Sequence, residues 1–182
     1  MTRLWRAESL LAPWLVDARL SGVPVRGIAL DSRDVSAQGL FLAVAGHRAH
    51  GLDFLDQALA AGAAIVLYEP DSVRHDQAIV DQCERAGAIA IPRAGLGALV
   101  SGIAGRFYGE PSRAMRVIAV TGTDGKTSVA HYTAQLVETL QGAAAVMGTV
   151  GWGRPGQLAE STHTTADAVA VQARLADLRD AG

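Results

Sequence analysis

Eight consecutive residues, Thr121-Gly122-Thr123-Asp124-Gly125-Lys126-Thr127-Ser128, are of types and in an order that could hold a phosphate chain. Two glycines in a short turn let backbone N–H groups converge on an anion, and the first turn of a following helix adds partial positive charge. Lys126 stands where an ammonium can reach the β- and γ-phosphates of a nucleoside triphosphate. Thr127 stands where a hydroxyl can ligate Mg2+. Gly122, Thr123, Asp124, Gly125, Lys126, Thr127 and Ser128 are therefore candidate nucleotide-binding residues, with Lys126 as the catalytic cation and Thr127 as the metal ligand. Counting back from Gly125, Val120 takes the first glycine position of the general pattern G-x-x-x-x-G-K-[ST]. Gly-Lys-Thr by itself also fits an ordinary strand-to-helix turn, so its surroundings carry the weight.

Those surroundings must be a strand that ends at the loop and a helix that begins there. Val117 to Val120 is an uninterrupted apolar run and predicts the strand. Val129, Tyr132, Leu136, Val137 and Leu140 fall on one helical face after the loop, and Gly142 closes it. Ala144 to Met147 predicts the next strand, so the order reads as a βαβ unit with parallel strands. A Gly- and Pro-rich loop is expected over Gly148 to Gln157, and a helix over Asp167 to Asp180. Upstream, strands are predicted over 25–30, 40–44, 64–68 and 88–91, with a short helix from Phe54 to Leu59 stopped by Gly62. The polar stretch 71–85 reads as surface. Leu96, Leu99, Val100, Ile103, Ala104 and Phe107 recur at helical spacing. Gly109-Glu110-Pro111-Ser112 ends that helix and marks a boundary. The expected fold class is α/β: a small α/β domain over 1–112, then, over 113–182, the start of a P-loop-type parallel-sheet domain.

With 182 residues the chain can form one domain or two small ones, and 49 % hydrophobic against 19 % charged residues suits a globular core. A formal net charge of −2 offers no electrostatic reason for nucleic acid or an anionic membrane as partner. The single cysteine, Cys83, can form no internal disulfide and has no adjacent base or helix start to activate it. Arg3, Arg6, Glu8 and Pro13 interrupt the N-terminal stretch, so no signal peptide or membrane span is read there. A cytoplasmic, monomeric protein is expected. His47, His50, His163 and Glu160 have no recognisable zinc spacing.

The string Val120-Thr121-Gly122-Thr123-Asp124-Gly125-Lys126-Thr127 resembles the Thr-Gly-Thr-Asn-Gly-Lys-Thr loop of the Mur ligases, a P-loop variant that lacks the first glycine. Further segments resemble the family in the same order: Leu30-Asp31-Ser32-Arg33, Gly39-Leu40-Phe41-Leu42-Ala43, Gly46-His47-Arg48-Ala49-His50-Gly51, Gly105-Arg106-Phe107-Tyr108, Glu110-Pro111-Ser112, Ala145 to Gly151, and Thr164-Thr165. Asp124 stands where the family usually has Asn, and His163 where an Asn often precedes the paired threonines.

The resemblance implies that the first domain binds a UDP-linked precursor, with the uracil and ribose side against Leu30, Ser32, His47, Arg48 and Ala49. It implies that Thr164 and Thr165 meet the muramoyl-peptide, and that the second domain binds ATP with Mg2+. The implied activity is that of an ATP-dependent amide ligase of peptidoglycan synthesis. Such a ligase adds the third amino acid, diaminopimelate or lysine, to UDP-N-acetylmuramoyl-L-alanyl-D-glutamate through an acyl phosphate. The family also uses later strands, a Glu and a His for Mg2+, a carbamylated Lys and a third domain. The chain is therefore expected to be an N-terminal portion without turnover of its own. Read from the residues alone, Ser32 is equally a turn cap, Asp31 with Arg33 a local ion pair, and Ser161 to Thr165 a polar loop before a helix capped by Thr165 or Asp167. A stand-alone nucleotide-binding module remains the reading of another class. A different Mur-type ligase, such as a relative of folylpolyglutamate synthase, is disfavoured by Leu30 to Arg33 and Ala145 to Gly151.

Overall fold

The computed structural model describes residues 4–46, 49–160 and 166–182. The chain forms two compact units, Met1–Tyr108 and Gly109–Gly182. No helix among the described residues is long and apolar enough to cross a membrane.

The first unit opens with a short ribbon, β1 (Trp5–Arg6) and β2 (Pro24–Val25), antiparallel, with α1 (Ala7–Leu11) between them. A parallel sheet follows: β3 (Gly27–Ala29), β4 (Gly39–Ala43), β5 (Ala63–Tyr68) and β6 (Ile89–Pro92), adjacent in chain order. Helix α2 (Leu55–Ala60) connects β4 to β5, α3 (Asp76–Arg85) connects β5 to β6, and α4 (Leu96–Phe107) follows β6. The middle strands are near-continuous apolar runs because a parallel sheet is covered on both faces. Phe41, Ala43, Val66, Tyr68 and Ala90 pack with Leu55 and Ala58 of α2 and Ile79 and Cys83 of α3. Strand alternation turns Leu40, Leu42, Ile65, Leu67 and Ile91 to the opposite face, where they are buried too. Trp5 ties the ends of the unit together: its indole N–H donates to the Phe107 carbonyl at 3.0 Å, and the Arg106 guanidinium lies 5.5 Å from its ring centre.

Two readings of this unit are refined. The strand expected over 25–30 is broken at Arg26 into β2 and β3. The polar stretch 71–85 contains α3, whose Ile79 and Cys83, one helical turn apart, bury a narrow seam. Two apolar anchors in an otherwise polar helix gave too weak a periodicity to read. Burial pushes the Cys83 thiol up to about 11, which fits a spectator.

The second unit holds a turn over Pro111–Ala114, α5 (Lys126–Gln141), a hairpin series β7 (Val146–Gly148), β8 (Gly151–Arg154) and β9 (Gln157–Ala159), and α6 (Ala168–Asp180). Asp167 caps α6, its carboxylate accepting the Ala170 N–H at 2.8 Å. The helix after the glycine loop forms as expected, but the parallel pairing around it does not. Residues 117–120 are not a strand, and Val117 and Ile118 are exposed. The expected second strand exists as β7, paired antiparallel to β8, and the loop expected over Gly148 to Gln157 is mostly β8 and the turn to β9. Closing β7 on β8 across two residues costs little chain entropy. A parallel strand must be covered on both faces, and no described strand flanks 117–120. The α/β class stands on the parallel sheet of the first unit.

The core of this second unit is thin. Among the described residues its buried apolar side chains are Pro111, Ala134, Val146, Val169 and Ala176, whereas Val129, Tyr132, Leu136 and Leu140 lie exposed along α5, Tyr132 at 70 %. Apolar surface left in water contributes nothing to folding. Limited proteolysis is therefore expected to cut within residues 115–160 while leaving 4–108 intact, as read by mass spectrometry of the first fragments. Equal resistance of both units would contradict it.

Candidate functional site

In open α/β sheets ligands bind at the mouth, the C-terminal ends of the strands, where in the first unit the loops after β3 and β4 stand. Leu30, half-buried, follows β3. Ser32 begins a 3-10 turn over Ser32–Asp34 and is the one buried polar residue among the described ones, at 4 % exposure. Its hydroxyl donates to Gln57 Oε1 on α2 at 2.8 Å. Asp31 caps that turn by accepting the Arg33 N–H at 2.9 Å and pairs with the Arg33 guanidinium at 2.5 Å. The turn-cap role at this corner thus falls to Asp31, and the local ion pair is present.

The end of β4 carries a tight loop. Ala45 bridges His50, the Gly46 N–H donates to the Ala49 carbonyl at 3.0 Å, and the Gly51 N–H donates to the Val44 carbonyl at 2.8 Å. Ala49 is exposed on it. His47 and Arg48, the other residues expected here, lie outside the described residues. His50 closes the loop with a reciprocal cap: Nδ1 accepts the Leu52 N–H at 3.1 Å, and its backbone N–H donates to Asp53 at 2.8 Å. Asp53 is braced in turn by Arg74, which also pairs with Asp71. Gln57 and Arg74 were not singled out from the sequence, and His50 was named there only within a resembling segment and as a rejected zinc ligand. An imidazole is not among the favoured capping residues, so only the Asp at the third turn position signalled this cap.

In the second unit, Gly125 takes the left-handed conformation at φ 74° and precedes α5, and Gly122 sits at φ 147°. The first intrahelical bond is Val129 N–H to the Gly125 carbonyl at 2.9 Å. The N–H groups of Lys126, Thr127 and Ser128 therefore lack helical partners and form the positive end of the helix. Lys126 Nζ folds back over the turn, donating to the carbonyls of Gly122 at 2.5 Å and Thr123 at 3.0 Å. Thr121 to Ser128 are all exposed, and a Cβ placed on Gly125 would meet nothing within 4 Å. Backbone donors, one ammonium and open space at a helix start fit an anionic phosphate chain. Asp124 and Thr127 flank it. Among the described residues no group of three or more His, Cys, Asp or Glu could hold a metal; the Thr127 hydroxyl at this turn is an oxygen of the kind Mg2+ takes. Thr164 and Thr165 lie outside the described residues.

Both regions match known proteins. Residues 24–108 match the model described as Mur ligase family, catalytic domain, and residues 120–182 the Mur ligase middle domain. The chain is 46 % identical over 180 residues to the UDP-N-acetylmuramoyl-L-alanyl-D-glutamate--2,6-diaminopimelate ligase of Alkalilimnicola ehrlichii, covering 98 % of this chain and 36 % of that protein. It is 45 % identical over 158 residues to the protein of the same name from Pseudomonas aeruginosa, covering 87 % and 31 %. A solved structure of a ligase of that name superposes with a TM-score of 0.72 at 28 % identity over 99 % of this chain and 34 % of the other. A MurF structure from Acinetobacter baumannii, at 18 % identity and a TM-score of 0.55, shares the fold. The chain spans about a third of the length of these relatives.

Proposed function

Because the chain belongs to the Mur ligase family, we propose that it supplies the precursor-binding and ATP-binding regions of an amide ligase that joins diaminopimelate to UDP-N-acetylmuramoyl-L-alanyl-D-glutamate. The observation that carries this is the open glycine turn at the start of α5, with Lys126 hydrogen-bonded across it. The relatives' shared name supplies the precursor and the amino acid.

In this reading residues 1–112 hold the UDP-precursor. Leu30, Ser32, Ala49, His47 and Arg48 surround its nucleotide, and Thr164 and Thr165 meet the peptide side. Residues 113–182 hold ATP. Gly122 and Gly125 let the turn approach the phosphates, while Thr123, Asp124 and Ser128 line it. Lys126 releases its loop carbonyls to neutralise the β- and γ-phosphates. Thr127 would give Mg2+ one oxygen, and the ion would supply further neutralisation of the phosphate charge. When bound, ATP would supply the γ-phosphoryl group that turns the D-glutamyl carboxylate into an acyl phosphate, leaving ADP; the incoming amine would then attack the acyl carbon and expel inorganic phosphate as the amide forms. This chain's part is positioning and charge neutralisation, the larger share of catalysis in phosphoryl transfer. Substrates of this kind place the work in the cytoplasm.

Calorimetry separates this reading from a stand-alone nucleotide module. Titration of the chain with UDP-N-acetylmuramoyl-L-alanyl-D-glutamate, and separately with Mg-ATP, is expected to show binding of both and no amide product. Binding of ATP without the precursor would favour the module, and binding of neither would overturn the proposal.

A further inference from the structure

The placement of Ser32 and Gln57 inverts the roles their types suggest. Ser32 is 4 % exposed, and a hydroxyl has one proton to give, which Ser32 gives to Gln57 Oε1 at 2.8 Å. Gln57 is exposed on α2, which leaves the C-terminal end of β4 beside the loop bearing Ala49. A carboxamide is planar, with its oxygen and nitrogen diverging from one carbon. Once Oε1 is committed to Ser32, the Nε2 hydrogens diverge from that bond, on a residue that is exposed.

We propose that Gln57 is a binding residue for the nucleotide end of the precursor: its amide N–H groups donate to an acceptor oxygen of the uridine diphosphate, and Ser32 is the buried anchor that orients it. This rests on the reading of the mouth as a UDP site and adds to it the residue that touches the ligand. The geometry commits the Ser32 hydroxyl proton to Gln57 and leaves the Gln57 amide its two N–H donors.

The test is titration of the 182-residue chain with UDP, comparing four variants. Gln57→Met keeps the length of the side chain and removes both donor and acceptor. It is expected to weaken UDP binding about fivefold to tenfold, the scale of one exchanged hydrogen bond. Gln57→Glu still accepts the Ser32 proton, so the internal bond survives, yet it has no donor. It is expected to lose at least as much, the new carboxylate adding repulsion of the diphosphate to the lost donors. Ser32→Ala leaves the carboxamide in place but unanchored and is expected to cost about twofold. In the double variant Ser32→Ala adds nothing to Gln57→Met, because the anchor then has nothing to orient. Thermal unfolding confirms that each variant remains folded. Unaltered UDP affinity in Gln57→Met, full affinity in Gln57→Glu, or a larger loss in Ser32→Ala than in Gln57→Met would overturn the assignment while leaving the UDP site standing. Failure of the unaltered chain to bind UDP would overturn that site, and the assignment with it.

Discussion

Lys126→Met is expected to reduce affinity for Mg-ATP by about a hundredfold or more while leaving binding of the UDP-precursor unchanged. The structure makes Lys126 the one ammonium on a turn otherwise built from main chain, with its Nζ within hydrogen-bond distance of Gly122 and Thr123 carbonyls. Methionine preserves the unbranched side chain and its helix preference, so the start of α5 is kept. It removes the charge and the donors that a triphosphate requires at contact distance. The backbone N–H groups and helix end remain, which is why residual weak binding is expected rather than none. In a complete ligase the same change is expected to lower turnover by roughly a thousandfold or more, since charge neutralisation of the transferring group is lost. Lys126→Arg should fall between, because a planar guanidinium keeps the charge but does not fit a site made for a compact ammonium. The measurement is calorimetry with Mg-ATP, with precursor titration as the internal control for folding. Unchanged ATP affinity in Lys126→Met would remove the basis of the nucleotide assignment.

The two regions differ in how far their structure could be read from residue order. In the first, the strands over 40–44, 64–68 and 88–91 were legible because parallel strands buried on two faces leave unbroken apolar runs, and α4 because its apolar positions return at three and four. Helix α3 was not, because it packs through Ile79 and Cys83 with only partly buried Val80 beside them. In the second region the glycine loop was legible from turn chemistry and α5 from its helical spacing and the Gly142 stop, both of which are local. Strand pairing is not local, and there the reading of 117–120 as a parallel strand failed: an apolar run states what would be buried but not what covers it. The phosphate site suffers least from this, since its donors belong to residues contiguous in the chain. The precursor mouth is the reverse case. Ser32 and Gln57 meet from positions 25 apart, and the exchange of roles between them follows from burial, which no spacing encodes.

The mouth of the first unit also hangs on one small residue. Gly51 joins the Ala49 loop to α2's leading turn, and a Cβ added there would stand 2.5 Å from the Ala43 Cα and 2.9 Å from its carbonyl carbon. Those atoms belong to the end of β4, held between β3 and β5, so the strand cannot yield and the loop must. Gly51→Ala is therefore expected to destabilise the unit by about 2–4 kcal/mol, the sum of overpacking against a fixed strand and a strained bond from the Gly51 N–H to Val44. Displacing the loop also moves Ala49 and loosens the His50 cap, so precursor affinity should fall more than tenfold at temperatures where the protein is still folded. ATP affinity should not change, because the phosphate loop belongs to the other unit. Gly97→Ala supplies a control of opposite sign: its Cβ would come no closer than 3.9 Å to the Glu69 carboxylate, and alanine inside α4 is worth up to about 1 kcal/mol over glycine. Thermal unfolding should therefore move down for the first substitution and up for the second. Equal melting temperatures for Gly51→Ala and the unaltered chain would show that the loop has slack the close approach denies it.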